Sequence, residues 1–422
     1  MYVQTSGRSR SRICGDNRVS MEFYRQTYAE IDLDAFQKNI ESIRARFADA
    51  EFFCPMIKAN GYGHGDQTLS LFLQHLGVQA VGVCLIEEAL LLKEAGFNNK
   101  ILIFRGFDEM GAKEILGQGF VPVISSFDHI AHLQKWAKTE VEVHVKFNTG
   151  MNRLGFAPSE ATNVVAKLAA SPKLKVEGLL THLLNGDDGI EDEGETARQL
   201  FQFNEISKVF STFKPKHHVY NSGGCLAKEW ARQLKLKHKH FDNRWGIRPG
   251  LMIYGYKPVG MGTDWDLHPV MNLKSTVSHI RQVSKGEGVS YGASWRASRD
   301  SQIGIVPIGY ADGYHRMLSN RASVLVLGER VPVVGRICMD FMMIDLTDTL
   351  KSKTLQTHQD REVTLFGFDR ERNFLSVDEI AHHSQTISWE VLTQVGVRVP
   401  RRYLGGKSFF NEVVGTRGRD LT

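Results

Sequence analysis

Over residues 30–256, short apolar runs alternate with longer stretches of helical spacing. The runs at 52–57, 80–85, 101–104, 121–124, 141–147, 176–181, 217–220 and 251–254 are of strand length and rich in β-branched or apolar residues. Helical patterns lie between them at 68–74, 86–95, 111–116, 126–138, 159–170 and 196–213, and another at 34–47 precedes the first run. Eight strands with intervening helices predict a (β/α)8 barrel. An open doubly wound sheet is the alternative, but the chain lacks a GxGxxG dinucleotide pattern. After Pro258 the texture changes to alternating strand patterns with turn signals, at 271–283, 302–308, 322–327 and 330–338. The expected fold is therefore α/β: an N-terminal TIM barrel over 22–262, then a mostly β C-terminal domain over 263–422. The linker is expected near 257–267. One late helix is expected at 377–383, with Ser376 as N-cap and Glu379 three residues on.

In a barrel of this type, chemistry gathers just past the C-terminal ends of the strands. Polar and glycine-rich clusters fall there. Lys58 ends the first run and is followed by Ala59-Asn60-Gly61-Tyr62-Gly63-His64-Gly65. Asn148-Thr149-Gly150-Met151-Asn152-Arg153-Leu154-Gly155 follows the fifth, His182 the sixth, and Asn221-Ser222-Gly223-Gly224 the seventh. Arg248-Pro249-Gly250 precedes the expected eighth strand, on the wrong side of it, which questions that strand's position. A lysine at a strand end suits amine chemistry, although a surface lysine ending a strand fits that segment alone somewhat better. The late Ser/Gly turns suit an oxyanion held by backbone N–H groups. A lysine, an arginine and a phosphate cradle in one barrel point to pyridoxal 5′-phosphate. The β domain holds a second dense patch: Ser290-Tyr291-Gly292, Gly309-Tyr310-Ala311-Asp312-Gly313, and Met339-Asp340.

Composition narrows the partners. The chain has 422 residues, 42% hydrophobic and 23% charged, an ordinary globular balance. The net charge of +5 is mild and the basic residues are spread out, so nucleic acid is not expected as a partner; anionic small molecules are. No apolar run reaches membrane-spanning length, so no membrane partner is expected. Five widely spaced cysteines without a CxxC argue against a disulfide framework or a metal site, and favour a reducing compartment. Residues 1–20 are Ser/Arg-rich without an apolar core. Residues 1–21 are expected to be a disordered extension, with the natural start at Met21, and the protein is expected to be cytoplasmic.

From about Glu30 to Tyr403 these motifs, in this order, resemble the alanine racemases, a fold type III family of pyridoxal 5′-phosphate enzymes. The resemblance implies a head-to-tail homodimer in which each active site joins one barrel to the partner's β domain. Position by position, Lys58 resembles the Schiff-base lysine and first base, and Tyr291 the opposing base from the other subunit. Tyr62, Ser222, Gly250 and Leu251 resemble the phosphate cradle. Arg248 resembles the arginine facing the pyridine nitrogen, and His182 a link between Arg248 and Tyr291. Arg153 and the Met339 backbone resemble the groups that bind the substrate carboxylate. Lys146, which matches a lysine carbamylated in many members, and Asp340 would be supporting residues. The implied reaction is two-base interconversion of L- and D-alanine, with D-alanine serving peptidoglycan.

One departure concerns Trp389, which stands where the family usually has a tyrosine that reaches the cofactor phosphate and bounds the substrate pocket. Altered cofactor affinity or side-chain specificity is expected. Alternatives are a broader-specificity amino-acid racemase, a decarboxylase of the same architecture, or a non-catalytic carrier of the cofactor. Arg248 argues against the decarboxylase, which needs an acid there. Tyr291 and Met339 argue against the carrier.

Overall fold

The structure is a computed structural model of the whole chain; it describes residues 24–186, 194–233, 244–257 and 265–411. The expected extension over 1–21 with its start at Met21, and the centre of the expected linker with the 262/263 boundary, lie outside these residues. Two compact units emerge. One comprises Ala35–Val270 with Ser388–Thr393; the other comprises 24–34, Met271–Ile387 and 394–411.

The first unit is the barrel. Parallel strands Ala80–Val83, Lys100–Ile103, Val121–Ile124, Val141–Lys146, Leu174–Leu180, Lys216–Tyr220 and Gly246–Ile247 neighbour one another in chain order. The segment 52–57 closes the ring. It bridges Ile247 through Phe53 on one side and Gly82 through Met56 on the other, both parallel. The bonds Cys54 N–H to Ile247 O (3.0 Å) and Ile57 N–H to Gly82 O (2.9 Å) complete the closure. Pro55 has no N–H to give, which explains isolated bridges in place of a continuous ladder. Strands of this barrel are covered on both faces, so Ala80–Val83 and Val121–Ile124 are buried throughout.

The helices start where capping residues stand. Asp108 and Ser126 accept from Gly111 N–H and His129 N–H to begin Glu109–Gln118 and Phe127–Trp136. The expected eighth strand is a correction. Residues 251–254 form a 3-10 turn, Leu251–Tyr254, and the strand is Gly246–Ile247. An apolar run of four, all buried, cannot be told from a strand by periodicity. Arg248 thus follows its strand, on the side where the other clusters lie.

The second unit is mostly β. Its larger sheet runs Glu329–Pro332, Ser323–Val326, Glu362–Phe368, Met271–Thr276, Tyr28–Asp32, Arg401–Leu404. Tyr28–Asp32 therefore pairs in this sheet and not in the barrel, parallel to Arg401–Leu404. Buried Lys274 joins three of its strands, 2.8 Å from Glu362 and 3.7 Å from Glu30. A smaller sheet holds His279–Val283, Ser301–Val306 and Met342–Asp345. The late helix is Val377–Ser384, and Ser376 caps it by accepting from Asp378 N–H at 3.0 Å. Glu379 is engaged elsewhere, in a two-pronged pair with Arg330 at 2.5 and 2.9 Å.

Candidate active site

The first strand ends at Ile57, and the chain then enters a left-handed turn. Ala59, Asn60, Gly61 and Tyr62 have φ of 52°, 54°, 60° and 51°. For a non-glycine residue this conformation costs roughly 1–2 kcal/mol. Hydrogen bonds from Gly61 to Ile57, Gly63 to Ala59 and Gly65 to Asn60, at 2.9–3.0 Å, hold the turn. Gly63 is required for space as well as conformation: φ is 84°, and a Cβ there would sit 2.1 Å from Leu392 O. That carbonyl belongs to Ser388–Thr393, the short helix that carries half-buried Trp389. The turn leaves Lys58 half-buried at its start.

Four cations gather around this point. Arg248 is 4% exposed. Its guanidinium donates to His218 Nδ1 (2.9 Å), to the carbonyls of Thr181 (2.6 Å) and Val219 (3.3 Å), and closely to that of His218. Burial lowers it to about 10, so it stays charged at neutral pH. Lys146 ends the fifth strand and is buried. Burial first, then Arg248, Arg153 and Lys58, push its amine down to about 8. Arg153 is exposed on the loop after that strand. Asn148 Oδ1 shapes this loop by accepting from Gly150 and Asn152 N–H at 3.3 and 2.8 Å. The charges that act most on Lys146 are these cations, so the site favours an anionic occupant.

His182 lies in the same field. Burial and then Arg248 hold its imidazole well below the usual range, hence neutral. Its Nε2 meets Asn221 Nδ2 at 3.4 Å. The imidazole hydrogen-bonded to Arg248 is that of His218, which sequence reading did not single out. His218 in turn bonds His144 at 2.7 Å. Both face the barrel interior from strands five and seven, and the alternation His144, Lys146 along one strand was the available signal.

Ser222, Gly250, Leu251 and Tyr62 form a recess. Ser222 begins the helix Ser222–Gln233, whose N-terminus favours an anion. Its Oγ accepts from the amides of Gly250 (3.0 Å) and Met252 (3.5 Å), leaving the hydroxyl proton to donate. A Cβ at Gly250 would lie 2.5 Å from Tyr62 Oη, so only a glycine admits this approach. Tyr62 is 8% exposed, and burial pushes its phenol well above the ordinary range. A neutral, buried O–H aimed at small residues and a helix start suits a phosphate. The residues present therefore fit pyridoxal 5′-phosphate: Lys58 for the aldehyde, this recess for the phosphate.

In the other unit, Ser290 (φ 63°) turns the chain so that Tyr291 projects outward, 71% exposed. Ser290 Oγ donates to Arg336 O at 2.6 Å. Met339 is 52% exposed, and no described residue accepts its N–H. Its carbonyl accepts from Ala311 N–H at 3.1 Å. A Cβ at Gly309 would lie 2.2 Å from Cys338 O, so the two turns pack backbone to backbone. Beneath them, fully buried Asp312 takes two bonds from Arg25 (2.6 and 2.5 Å) and pairs with Arg398 at 3.4 Å. Arg398 also holds Asp340 at 2.7 Å. Arg25 and Arg398 lie 373 positions apart, so no local signal announced this network.

Similarity to known proteins matches this geometry. Residues 31–258 match the alanine racemase N-terminal domain family, and residues 270–403 the alanine racemase C-terminal domain family. Alanine racemase of Desulfovibrio desulfuricans is 36% identical over 394 residues, covering 91% of this chain and 100% of that one. Alanine racemase 1 of Bacillus subtilis is 34% identical, covering 90% and 94%. Among solved structures, the alanine racemase of Clostridium difficile superposes with a TM-score of 0.81 at 29% identity, covering 90% and 96%. That of Bartonella henselae, with covalently bound pyridoxal phosphate, gives 0.78 at 28% identity, covering 90% and 99%.

Proposed function

The chain belongs to the alanine racemase family, and from that premise we propose how its residues divide the work of interconverting L- and D-alanine with pyridoxal 5′-phosphate. When bound, the cofactor supplies the electron sink that makes the α-hydrogen of the amino acid removable. Lys58 holds the cofactor and serves as the base on one face. Tyr291 of a second copy serves on the opposite face. Racemisation needs a proton taken from one side and another returned on the other, and two fixed bases avoid a single group swinging across the ring.

The gathering of Lys58, Lys146, Arg153 and Arg248 carries this reading. Such a site is built for a phosphate and a substrate carboxylate together. Tyr62, Ser222 and the backbone at Gly250 and Leu251 hold the phosphate. Arg153, with the backbone N–H of Met339 from the second copy, holds the substrate carboxylate. Arg248, charged at neutral pH, would lie at the ring nitrogen of the bound cofactor and keep a proton off it. Lys146, with part of its amine neutral, can take up carbon dioxide; the N–C bond forms as a proton leaves to solvent, and the resulting anion would hold Arg153. The 71% exposure of Tyr291 supports a homodimer, because a base that projects outward is free to enter the site of a second copy. No helix among the described residues is long and apolar enough to cross a membrane. A cytoplasmic enzyme supplying D-alanine for peptidoglycan accords with this reading.

Trp389 favours a second reading, a racemase of broader amino-acid range, since its helix abuts the turn that carries Lys58 and Tyr62. Incubating the full chain plus cofactor with single L-amino acids in deuterated water tests both. Loss of optical activity with α-deuterium uptake is expected for alanine. Carbon dioxide release would select a decarboxylase instead. Replacing Tyr291 with Phe should depress racemisation strongly; an unchanged rate would remove the second base.

A further inference from the structure

Glu88 stands at the third position of the helix Ile86–Glu94, just beyond the second barrel strand. Its two carboxylate oxygens face different ways. Oε2 accepts from the amides of Cys84 (2.7 Å) and Leu85 (3.0 Å), which ties it to the strand exit and the helix start. Oε1 accepts from the amide of Ala59 at 2.7 Å, the residue directly after Lys58. Bonds within 57–66 hold that left-handed turn from inside. Glu88 therefore braces it from outside.

We propose that Glu88 is a positioning residue for Lys58. One carboxylate locks the exits of strands one and two together and fixes the backbone on which the lysine sits. The amine then returns to one place each time the cofactor leaves it. This rests on Lys58 being the cofactor lysine. The chemistry explains why the brace is a carboxylate. It meets three N–H donors and offers only acceptors. A glutamine can turn its carbonyl to Cys84 and Leu85, but its NH2 then faces the Ala59 N–H, donor against donor. Glu88→Gln should thus keep the helix start and release the lysine turn.

The test compares two ligands on cofactor-stripped full chain. Pyridoxal 5′-phosphate can bond to the lysine; pyridoxine 5′-phosphate, lacking the aldehyde, reports on the phosphate recess alone. In Glu88→Gln, affinity for the first should fall about tenfold or more, the loss of a charged hydrogen bond, while affinity for the second, which depends on the same turn only through Tyr62, should fall less. The variant's kcat should fall with KM for alanine little altered. Unchanged affinity for both ligands, or an equal loss for both, overturns the proposal. Should the variant not fold, single-residue hydrogen exchange on the wild-type protein decides. The Ala59 side chain is exposed, so slow exchange of its amide, comparable to Cys84, supports the brace; exchange at open-loop rates overturns it. Borohydride trapping of the wild-type cofactor separates the two assignments. A label on a lysine other than Lys58 overturns the premise and this proposal together. A label on Lys58 with an indifferent Glu88→Gln overturns the proposal alone.

Discussion

Replacing Gly250 with alanine should displace the Tyr62 hydroxyl and weaken cofactor binding without removing any group that binds it. The new Cβ would lie 2.5 Å from Tyr62 Oη and 3.1 Å from its Cζ. Non-bonded heavy atoms settle at roughly 3.5 Å or more, so the phenol oxygen must retreat by about 1 Å. It has little freedom to do so sideways: the ring lies against Tyr254, centroids 5.0 Å apart, on a backbone held left-handed. A retreat of that size takes a hydrogen bond of ordinary length out of range. The bond at stake goes to a charged phosphate and contributes about 1.5–3 kcal/mol, hence a rise of about 10- to 150-fold in the dissociation constant. The assay is spectrophotometric titration of cofactor-stripped protein with pyridoxal 5′-phosphate, repeated in a Tyr62→Phe background. If the alanine acts through the hydroxyl, its effect shrinks strongly once the hydroxyl is gone. Wild-type affinity in Gly250→Ala, or an undiminished loss in the double variant, would refute the assignment of Tyr62 to the phosphate.

Three further outcomes are expected. Trp389→Tyr should tighten cofactor binding about tenfold or more, one hydrogen bond to a charged phosphate, and raise the rate on alanine relative to serine; no change in either sinks the role given to Trp389. Lys146 is lowered from 10.5 to about 8 in the fold, so the unfolded chain binds more protons between those values and stability rises with pH across that window. The penalty, about 3 kcal/mol, is present in full below pH 8. Lys146→Met should therefore be the more stable form at pH 7 in carbon dioxide-free buffer, with the gap closing by pH 10; a gap independent of pH refutes the burial argument. Asp312→Asn leaves Arg25 and Arg398 without their shared carboxylate and should cost about 3 kcal/mol in urea unfolding, the lower end for a buried pair because both arginines keep some solvent. A loss within error of zero would show that the network does not hold the turns beneath Met339.

Much of the barrel site was legible because order along the chain implies place in the fold. Lys58, Lys146, Arg153, His182 and Ser222 all stand at or just beyond the ends of apolar runs, and a barrel brings those ends to one rim. Glu88 shows where such reading stops. A glutamate three residues into a helix looks like an ordinary cap, and half of its carboxylate serves as one. Its other oxygen reaches an amide 29 positions earlier, which depends on two strand exits being neighbours. The eighth strand failed for a different reason: Leu251–Tyr254 is uniformly buried, and uniform burial carries no period.

By itself, then, the chain's pattern determined a barrel followed by a β-rich region, and the identity of the groups that gather at the rim. Only the tertiary structure decided what those groups are like once gathered. Burial lowers the basicity of Lys146 and Arg248, and for Lys146 the neighbouring cations lower it further. Arg248 finds His218, not His182, as its hydrogen-bonded imidazole. Tyr28–Asp32 leaves its neighbours in sequence to pair with Met271–Thr276 and Arg401–Leu404. Each is a matter of distance and dielectric between residues far apart in the chain, and neither quantity is written in local spacing.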